Sequence, residues 1–347
     1  MKKICHMLCM TVCMAMLCCG CGSSSGKLET DSGSAELPEE HQTSSTGGHD
    51  ITDTPYVGIV LKATDNPYFS LLKAGAEHEA DLLGIQVMVV SPNHESNVEQ
   101  QADLVSTMAN MAVDVIAVAP SHEEELTDAL QQAEDNGKWI FSVDTALEYE
   151  GSACYIGTDQ YNAGYQQGQY AAKLVEQNDT ASAVILRGPA KDKTHTLREY
   201  GIVDALEDGC VTVVRVEDCR CNEETAEQTM TELLEQHPEI NVVCTTSDSM
   251  AVGAQRAIAN AGKKDVHIVA FDGMQEASEL VRIGEIDAVF AQDPYEMGRL
   301  CVDYALKLYQ GQEVEASVHT DVELITQGNA QAHIDEINRR LNQRGIK

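Results

Sequence analysis

The sequence predicts an α/β protein built as two similar Rossmann-like, doubly wound lobes with parallel sheets, joined by a hinge. Three observations carry this. From Tyr56 onward, short apolar runs alternate with helical stretches. The runs are continuous and β-branched, as strands buried on both faces of a parallel sheet require, rather than alternating. The same alternation then restarts midway, and 347 residues suit roughly two domains of ~100–200 residues each.

Taken in order, the first lobe begins with the strand "YVGIVL" and a helix to about Leu83. Asn66 as a polar cap and Pro67 at the first helical position open that helix, which puts Tyr68 and Phe69 in its first turn. "IQVMVV", a helix to about Met111, "VDVIAVA", the helix "HEEELTDALQQAEDNG" and "KWIFSVD" follow. Gly84 and Gly137 end their helices where a left-handed cap is expected. After "ACYIGTDQ" come "ASAVILR", a helix through Ala205, "VTVVRVE", a helix from Glu223 to Gln236, "INVVCTT", a helix from Met250 to Ala261, "VHIVAF", a short helix and "IDAVFAQ". "PYEMGRLCVDYALKLYQG" is one more helix, and "SVHTDVELIT" offers at least one strand before a terminal helix. Two such lobes without an obvious linker imply several crossings, near 157–159, 292–294 and 322–325. The expected lobes are 55–157 plus 293–322 and 158–292 plus 323–347.

The N-terminus differs from all this. "MKKICHMLCMTVCMAMLCCGCGSSSG" has two lysines, an apolar stretch and small residues around a cysteine, the pattern of a secretory signal too short for a good membrane span. "LCCGC" before "GSSSG" resembles the lipobox of bacterial lipoproteins, with Cys21 the acylated residue and Cys19 the alternative. Residues 1–20 are then a signal peptide, and 21–54, rich in Ser, Gly, Thr and acidic residues, a tether that cannot bury enough apolar surface to fold. The body keeps Cys154, Cys210, Cys219, Cys221, Cys244 and Cys301. An extended "VTVVRVED" holds Cys210 and Cys219 too far apart to bridge, and Cys219 and Cys221 lack the partners of a zinc site.

With 56 acidic against 23 basic residues the formal charge is −33. Such a surface repels phosphate backbones and excludes nucleic acid as a partner. No G-x-S-x-G, H-E-x-x-H, dinucleotide fingerprint or phosphate loop is present. His41, His49, His94, His122, His195 and His319 fall in the tether, loops or helix starts and read as solvated residues.

Ligands of open parallel sheets bind beyond the carboxyl ends of the strands. The polar residues there are Asp65, Asn66, Ser91, Asn93, Ser121 and Asp144 in the first lobe. In the second they are Arg187, Asp218, Ser247, Asp248, Asp272, Gln292 and Asp293. Carboxylates and amides recur, each able to fix a hydroxyl or amine in one direction.

From about residue 55 the chain resembles the ribose and galactose type of periplasmic sugar-binding proteins, the solute receptors of ABC importers with the type I periplasmic-binding fold. The stretches that carry it are "DNPYFSLLKAGAEHEADLLG", "VIAVAP", "IFSVDT", "YIGTDQYNAG", "TTSDSMAVGAQRAIANAGKKDVHIVAFDG" and "GEIDAVFAQDPYEMG". The resemblance implies that Asn66, Tyr68 and Phe69 meet the sugar, the rings against its apolar face. It implies that Asp144 and Asp272 accept hydroxyl protons, that Arg198 donates to sugar oxygens, and that Ser247 and Gln292 complete the set. Packing of Tyr68 and Phe69 against the neighbouring loop, helix capping by Asp144, Asp272, Ser247, Asp248 and Asp159, a surface ion pair at Arg198 and a hinge hydrogen bond at Gln292 are the plainer alternatives. Ala119, Thr145 and Ser247 depart from the ribose pattern, and the second-lobe ring that would sandwich the sugar falls at Cys221.

These readings converge on a lipid-anchored extracytoplasmic receptor, monomeric and without cofactor, that delivers a sugar or polyol to a membrane permease. The alternatives are a sensory protein reporting to a chemoreceptor or histidine kinase, and a secreted hydrolase, for which no nucleophile is evident.

Overall fold

A computed structural model describes residues 54–342 except 65 and 179. The signal peptide, Cys21, almost all of the tether, and Asp65 lie outside the described residues.

The first sheet is built from β1 (Tyr56–Val60), β2 (Gln86–Val90), β3 (Val115–Val118), β4 (Trp139–Val143) and β5 (Ser152–Thr158). Between these strands run α1 (Pro67–Leu83), α2 (Val98–Ala109) and α3 (Glu123–Asp135). The chain then continues through α4 (Gln160–Leu174), β6 (Ser182–Arg187), α5 (Lys193–Asp208), β7 (Thr212–Asp218) and α6 (Glu223–Gln236). It goes on through β8 (Val242–Thr245), α7 (Asp248–Asn260), β9 (His267–Asp272), α8 (Gln275–Ile283) and β10 (Ala288–Ala291). The last elements are α9 (Pro294–Tyr309), β11 (Ser317–Thr320), β12 (Glu323–Thr326) and α10 (Ala330–Asn342).

The two sheets have the same order, β11-β5-β4-β3-β1-β2 and β12-β10-β9-β8-β6-β7. Each reverses direction beside its first strand, which creates the crevice that doubly wound folds use. The apolar runs read as strands are buried in the centre of each sheet, where β3 and β8 are covered throughout. The edge strands β2 and β7 are only partly covered, because one flank of an edge faces no neighbour. One expectation needs amending: β12 pairs with β10 antiparallel, so the second sheet is mixed at its rim. "SVHTDVELIT" also makes two strands rather than one, β11 in the first sheet and β12 in the second. The chain therefore passes between sheets after β5, after β10 and between β11 and β12.

Each sheet is covered on both faces. One apolar cluster joins β1, β3, β4 and β5 to α1 and α9, and a second joins the other face to α2 and α3. In the second lobe, α4 and α5 cover one face, and α6, α7 and α8 the other. The expected caps are present, with Gly84 at φ 68° and Gly137 at φ 73°. Close helix approach matters at Gly164 of α4, where an added Cβ would lie 2.1 Å from the Arg198 carbonyl. That approach sets Gln160 and Arg198 side by side.

Candidate functional site

A cavity of about 930 Å³ opens at the carboxyl ends of both sheets. Asn66, Tyr68, Phe69, Asp144, Arg198, Ser247, Asp272 and Gln292 all line it, as does Cys221 at the place of the missing ring, together with Lys62, Glu95, Asp192 and His195, which sequence reasoning did not select.

The aromatic wall comes from the first turn of α1. Asn66 caps the helix, its Oδ1 accepting from Tyr68 N–H at 3.0 Å, and its Nδ2 donates to Glu95 Oε1 at 3.3 Å. The cap fixes the next two rings edge to face, centroids 5.3 Å apart, an arrangement aromatic pairs favour. Both rings are almost fully buried within the α1/α9 core cluster, so they are packed from behind while still reaching the cavity.

Two aspartates end the fourth strand of their respective sheets, and neither caps a helix. Asp144 leads into β5, and the cap of α8 is Met274. Both have positive φ, 65° for Asp144 and 113° for Asp272, conformations that strain a side-chain-bearing residue and tend to gather at functional sites. At Asp144 the cause is visible: Thr145 N–H closes a three-residue turn on the Val143 carbonyl at 2.7 Å. The turn sends the Asp144 carboxylate into the cavity, its Oδ2 3.0 Å from Thr145 Oγ1 and 3.4 Å from Lys62 Nζ.

Arg198 is 1% exposed, which removes the reading of a surface ion pair. Its guanidinium lies 3.6 Å over the Phe271 ring, and Nε and Nη2 donate to Gln160 Oε1 at 3.1 and 2.6 Å. Nη1 donates to the Thr246 carbonyl and, at 3.4 Å, to Asp272 Oδ1. Four of its five N–H donors are thus used, and one is left for a ligand. Gln292 joins the same network, donating to Asp272 Oδ1 at 2.8 Å and accepting from Thr158 Oγ1 at 2.7 Å. Thr158 ends β5 and Gln292 follows β10, two of the three places where the chain changes sheets. The hinge hydrogen bond and the cavity contact at Gln292 are therefore one arrangement.

Burial pushes the Asp272 carboxyl up to about 6, against the pull of Arg198 and Gln292. Its neighbour Asp248 is also driven well above the ordinary carboxyl range, by burial and then by the Asp272 charge. Asp248 sits at the start of α7 and accepts from Met274 N–H at 2.6 Å. Ser247 holds the cap position of α7 without a capping hydrogen bond; its hydroxyl is 3.2 Å from Ser249 Oγ.

His195 corrects an expectation, since it is buried rather than solvated. Although it lies in the first turn of α5, the second sheet closes over it. Nδ1 is 2.8 Å from Thr246 Oγ1 and Nε2 is 3.3 Å from Cys221 Sγ. Burial lowers the imidazole to about 3 and lifts the Cys221 thiol to about 12. The pair is neutral and hydrogen-bonded, not a thiolate with its imidazolium. Where the ribose pattern places a second ring the cavity has this polar pair, as the sequence implied, with Cys221 held at φ 53°.

The other strand-end candidates do not line the cavity. Arg187 pairs with Glu199, and Asp218 accepts from Ala190 N–H and Arg220 N–H at 3.1 and 3.0 Å. Asp293 caps α9 and pairs with Arg340 at 2.7 Å. The Asn93 carbonyl accepts from Thr64 Oγ1 at 3.4 Å, and the Ser121 N–H donates to Gln101 Oε1 at 2.9 Å. Ser91 lies after the edge strand β2, away from the lining. The six described cysteines are free. Among the described residues no cluster of three metal-ligating side chains occurs, and no helix is long and apolar enough to cross a membrane.

Comparison with known proteins gives a consistent result. A family model described as "Periplasmic binding protein domain" matches residues 57–313. The ribose import binding protein RbsB of Salmonella typhimurium is 27% identical over 78% of this chain and 90% of its own length. The D-allose-binding periplasmic protein of Escherichia coli is 25% identical over 69% of this chain and 80% of its own. Among solved structures, an ABC transporter solute-binding protein from Actinobacillus succinogenes with bound D-allose superposes with a TM-score of 0.74 at 26% identity, covering 80% of this chain and 100% of that one.

Proposed function

Since the chain belongs to the periplasmic binding protein family, we propose that it is an extracytoplasmic receptor that binds a sugar or sugar-like polyol between its lobes and delivers it to the permease of an ABC importer. The carrying observation is the convergence of Asp144, Asp272 and Arg198 on one cavity. Carboxylates and a guanidinium make the stronger, charge-assisted hydrogen bonds to hydroxyls, and Tyr68 and Phe69 offer an apolar face for ring carbons. Asn66, Ser247 and Gln292 supply the remaining polar contacts. Closure of 55–157 plus 293–322 on 158–292 plus 323–347 buries the ligand and presents the closed form to the permease, which requires a ligand with higher affinity for that form. Lipid on Cys21, or on Cys19, keeps the receptor at the membrane, with diacyl anchoring supplying the second chain that stable attachment needs.

Ala119, Thr145 and Cys221 remove two polar groups and one ring from the ribose pattern, so the ligand is a bulkier or differently hydroxylated relative of ribose. Thermal unfolding against D-ribose, D-allose, D-galactose, D-arabinose and myo-inositol tests this. A ligand at one hundred times its Kd adds about 2.7 kcal/mol, an upshift of several degrees for one member. No shift with any sugar or polyol defeats the reading.

A further inference from the structure

The cavity extends past its polar chamber. In the chamber the walls are charged: Lys62, 6% exposed, lies 3.4 Å from Asp144 of its own lobe and 3.4 Å from Asp192 of the other. Beyond Met274, two residues after Asp272, the lining changes character. There α1, α8 and α10 each turn one apolar pair to the same space: Pro67 with Leu71, Ala277 with Leu280, and Ile337 with Leu341. Spacings of three and four residues put both members of a pair on one helix face. Because α1 belongs to the first lobe and α8 and α10 to the second, this apolar arm lies between the lobes, as the chamber does.

Met274 stands where chamber and arm meet. Its N–H donates to Asp248 Oδ2 at 2.6 Å, and its side chain packs against the first lobe's core. The backbone is therefore fixed, while an unbranched thioether adapts to differing shapes. Along the arm Leu71 and Ile337 are buried, but Leu280 and Leu341 are only partly covered. Part of the apolar wall thus still faces open space, and covering it is favourable. At about 930 Å³ the cavity stands near the top of the range for drug-sized ligands, ~300–1,000 Å³, molecules larger than one sugar ring. Glu276 and Glu279 also line it, and in a chain of charge −33 they repel an anionic tail.

We propose that the ligand is a sugar carrying a neutral apolar substituent, as in an alkyl or aryl glycoside. Its ring sits in the polar chamber, and the substituent lies along the arm between α1, α8 and α10. Since the walls of the arm come from both lobes, the substituent favours the closed form as well as adding contact. This rests on the sugar reading above and extends it from free sugars to glycosides.

The test is calorimetric titration of the full chain with D-ribose, D-allose, D-galactose and D-arabinose, and with the methyl, ethyl, propyl and butyl glycosides of each in both anomers. Burying one methylene is worth about three- to fourfold in affinity. In one anomer of the sugar that fits best, binding therefore tightens with each added carbon, and butyl exceeds methyl at least tenfold. Leu280→Gln and Leu341→Gln each lower that ratio, and the double variant brings it below threefold. The ratio is the readout, so a general loss of affinity does not imitate the result. Glycosides that bind where no free sugar does support the arm equally. If a free sugar binds but no butyl glycoside is tighter than its methyl counterpart, the cavity closes on the ring alone; the arm is then wrong and the receptor reading stands. A butyl gain that survives in the double variant places the substituent elsewhere and also overturns the arm. If neither sugars nor glycosides bind, the sugar reading falls and the arm with it. Should the double variant fail to fold, Leu341→Gln, in the last turn of the terminal helix, decides alone.

Discussion

Asp144 and Asp272 occupy equivalent places, each at the end of the fourth strand of a sheet of the same order, and each with positive φ. Their surroundings differ. Asp144 faces a lysine that reaches across the cleft mouth, whereas Asp272 is bonded to Arg198 and, through Gln292, to the crossing segments. Topology therefore fixes where a carboxylate stands, and the neighbours decide its task. One belongs to the closing edge, the other to the hinge.

The comparison breaks most visibly at Arg198. Arg198→Met keeps the side-chain length over Phe271 but strands Gln160 Oε1, the Thr246 carbonyl and Asp272. Removing one partner from a buried ionic network costs about 3–5 kcal/mol. Denaturant unfolding should report that loss, with sugar binding abolished. A loss under about 1 kcal/mol would mean that the network contributes little to holding the second lobe.

Asp272→Asn sharpens the contrast in the opposite direction. The folded-state value near 6 lies above the ordinary carboxyl value, so the native state binds the proton more tightly than the unfolded chain. Ionising Asp272 consequently destabilises the fold progressively as pH rises from about 4 to 6, and that penalty is complete above the folded value. The amide should stabilise the ligand-free protein by about 1–3 kcal/mol at pH 7.5, lose that advantage below about pH 4, and weaken sugar binding. Melting curves at both pH values check it; equal melting temperatures at pH 7.5 would show that Arg198 already compensates the charge.

The strand-end rule located the cavity because a doubly wound sheet leaves few other places for a ligand. It did not say which way each side chain turns. Arg187 and Asp218 meet the rule and turn to Glu199 and to backbone N–H groups instead. Lys62 also meets it, two residues past β1, but the helix start at Asp65 and Asn66 is the stronger local signal there. His195 was beyond such reasoning: a histidine in a helix's first turn looks solvated until Thr246 and Cys221, some fifty and twenty-six residues away, are folded against it. The aromatic pair was legible for the opposite reason. Asn66 and Pro67 fix the start of α1 locally, which places the next two rings in its first turn before α9 packs behind them.

The smallest expected effect lies at the rim of the same lobe contact. Lys193 also reaches from α5 to the first lobe, to Glu123 at 2.8 Å and Glu148 at 3.0 Å, but its side chain is 44% exposed. Water and salt screen such pairs, which contribute about 0–1 kcal/mol. Lys193→Ala should therefore leave the melting temperature within about 2 °C and sugar affinity within twofold. Lys62→Met, whose partner Asp192 immediately precedes Lys193, should change affinity by an order of magnitude. The two lysines cross the same gap with the same charge, so a difference between them isolates burial as the cause. Equal effects at both positions would mean instead that lobe contact of any kind, exposed or not, governs closure.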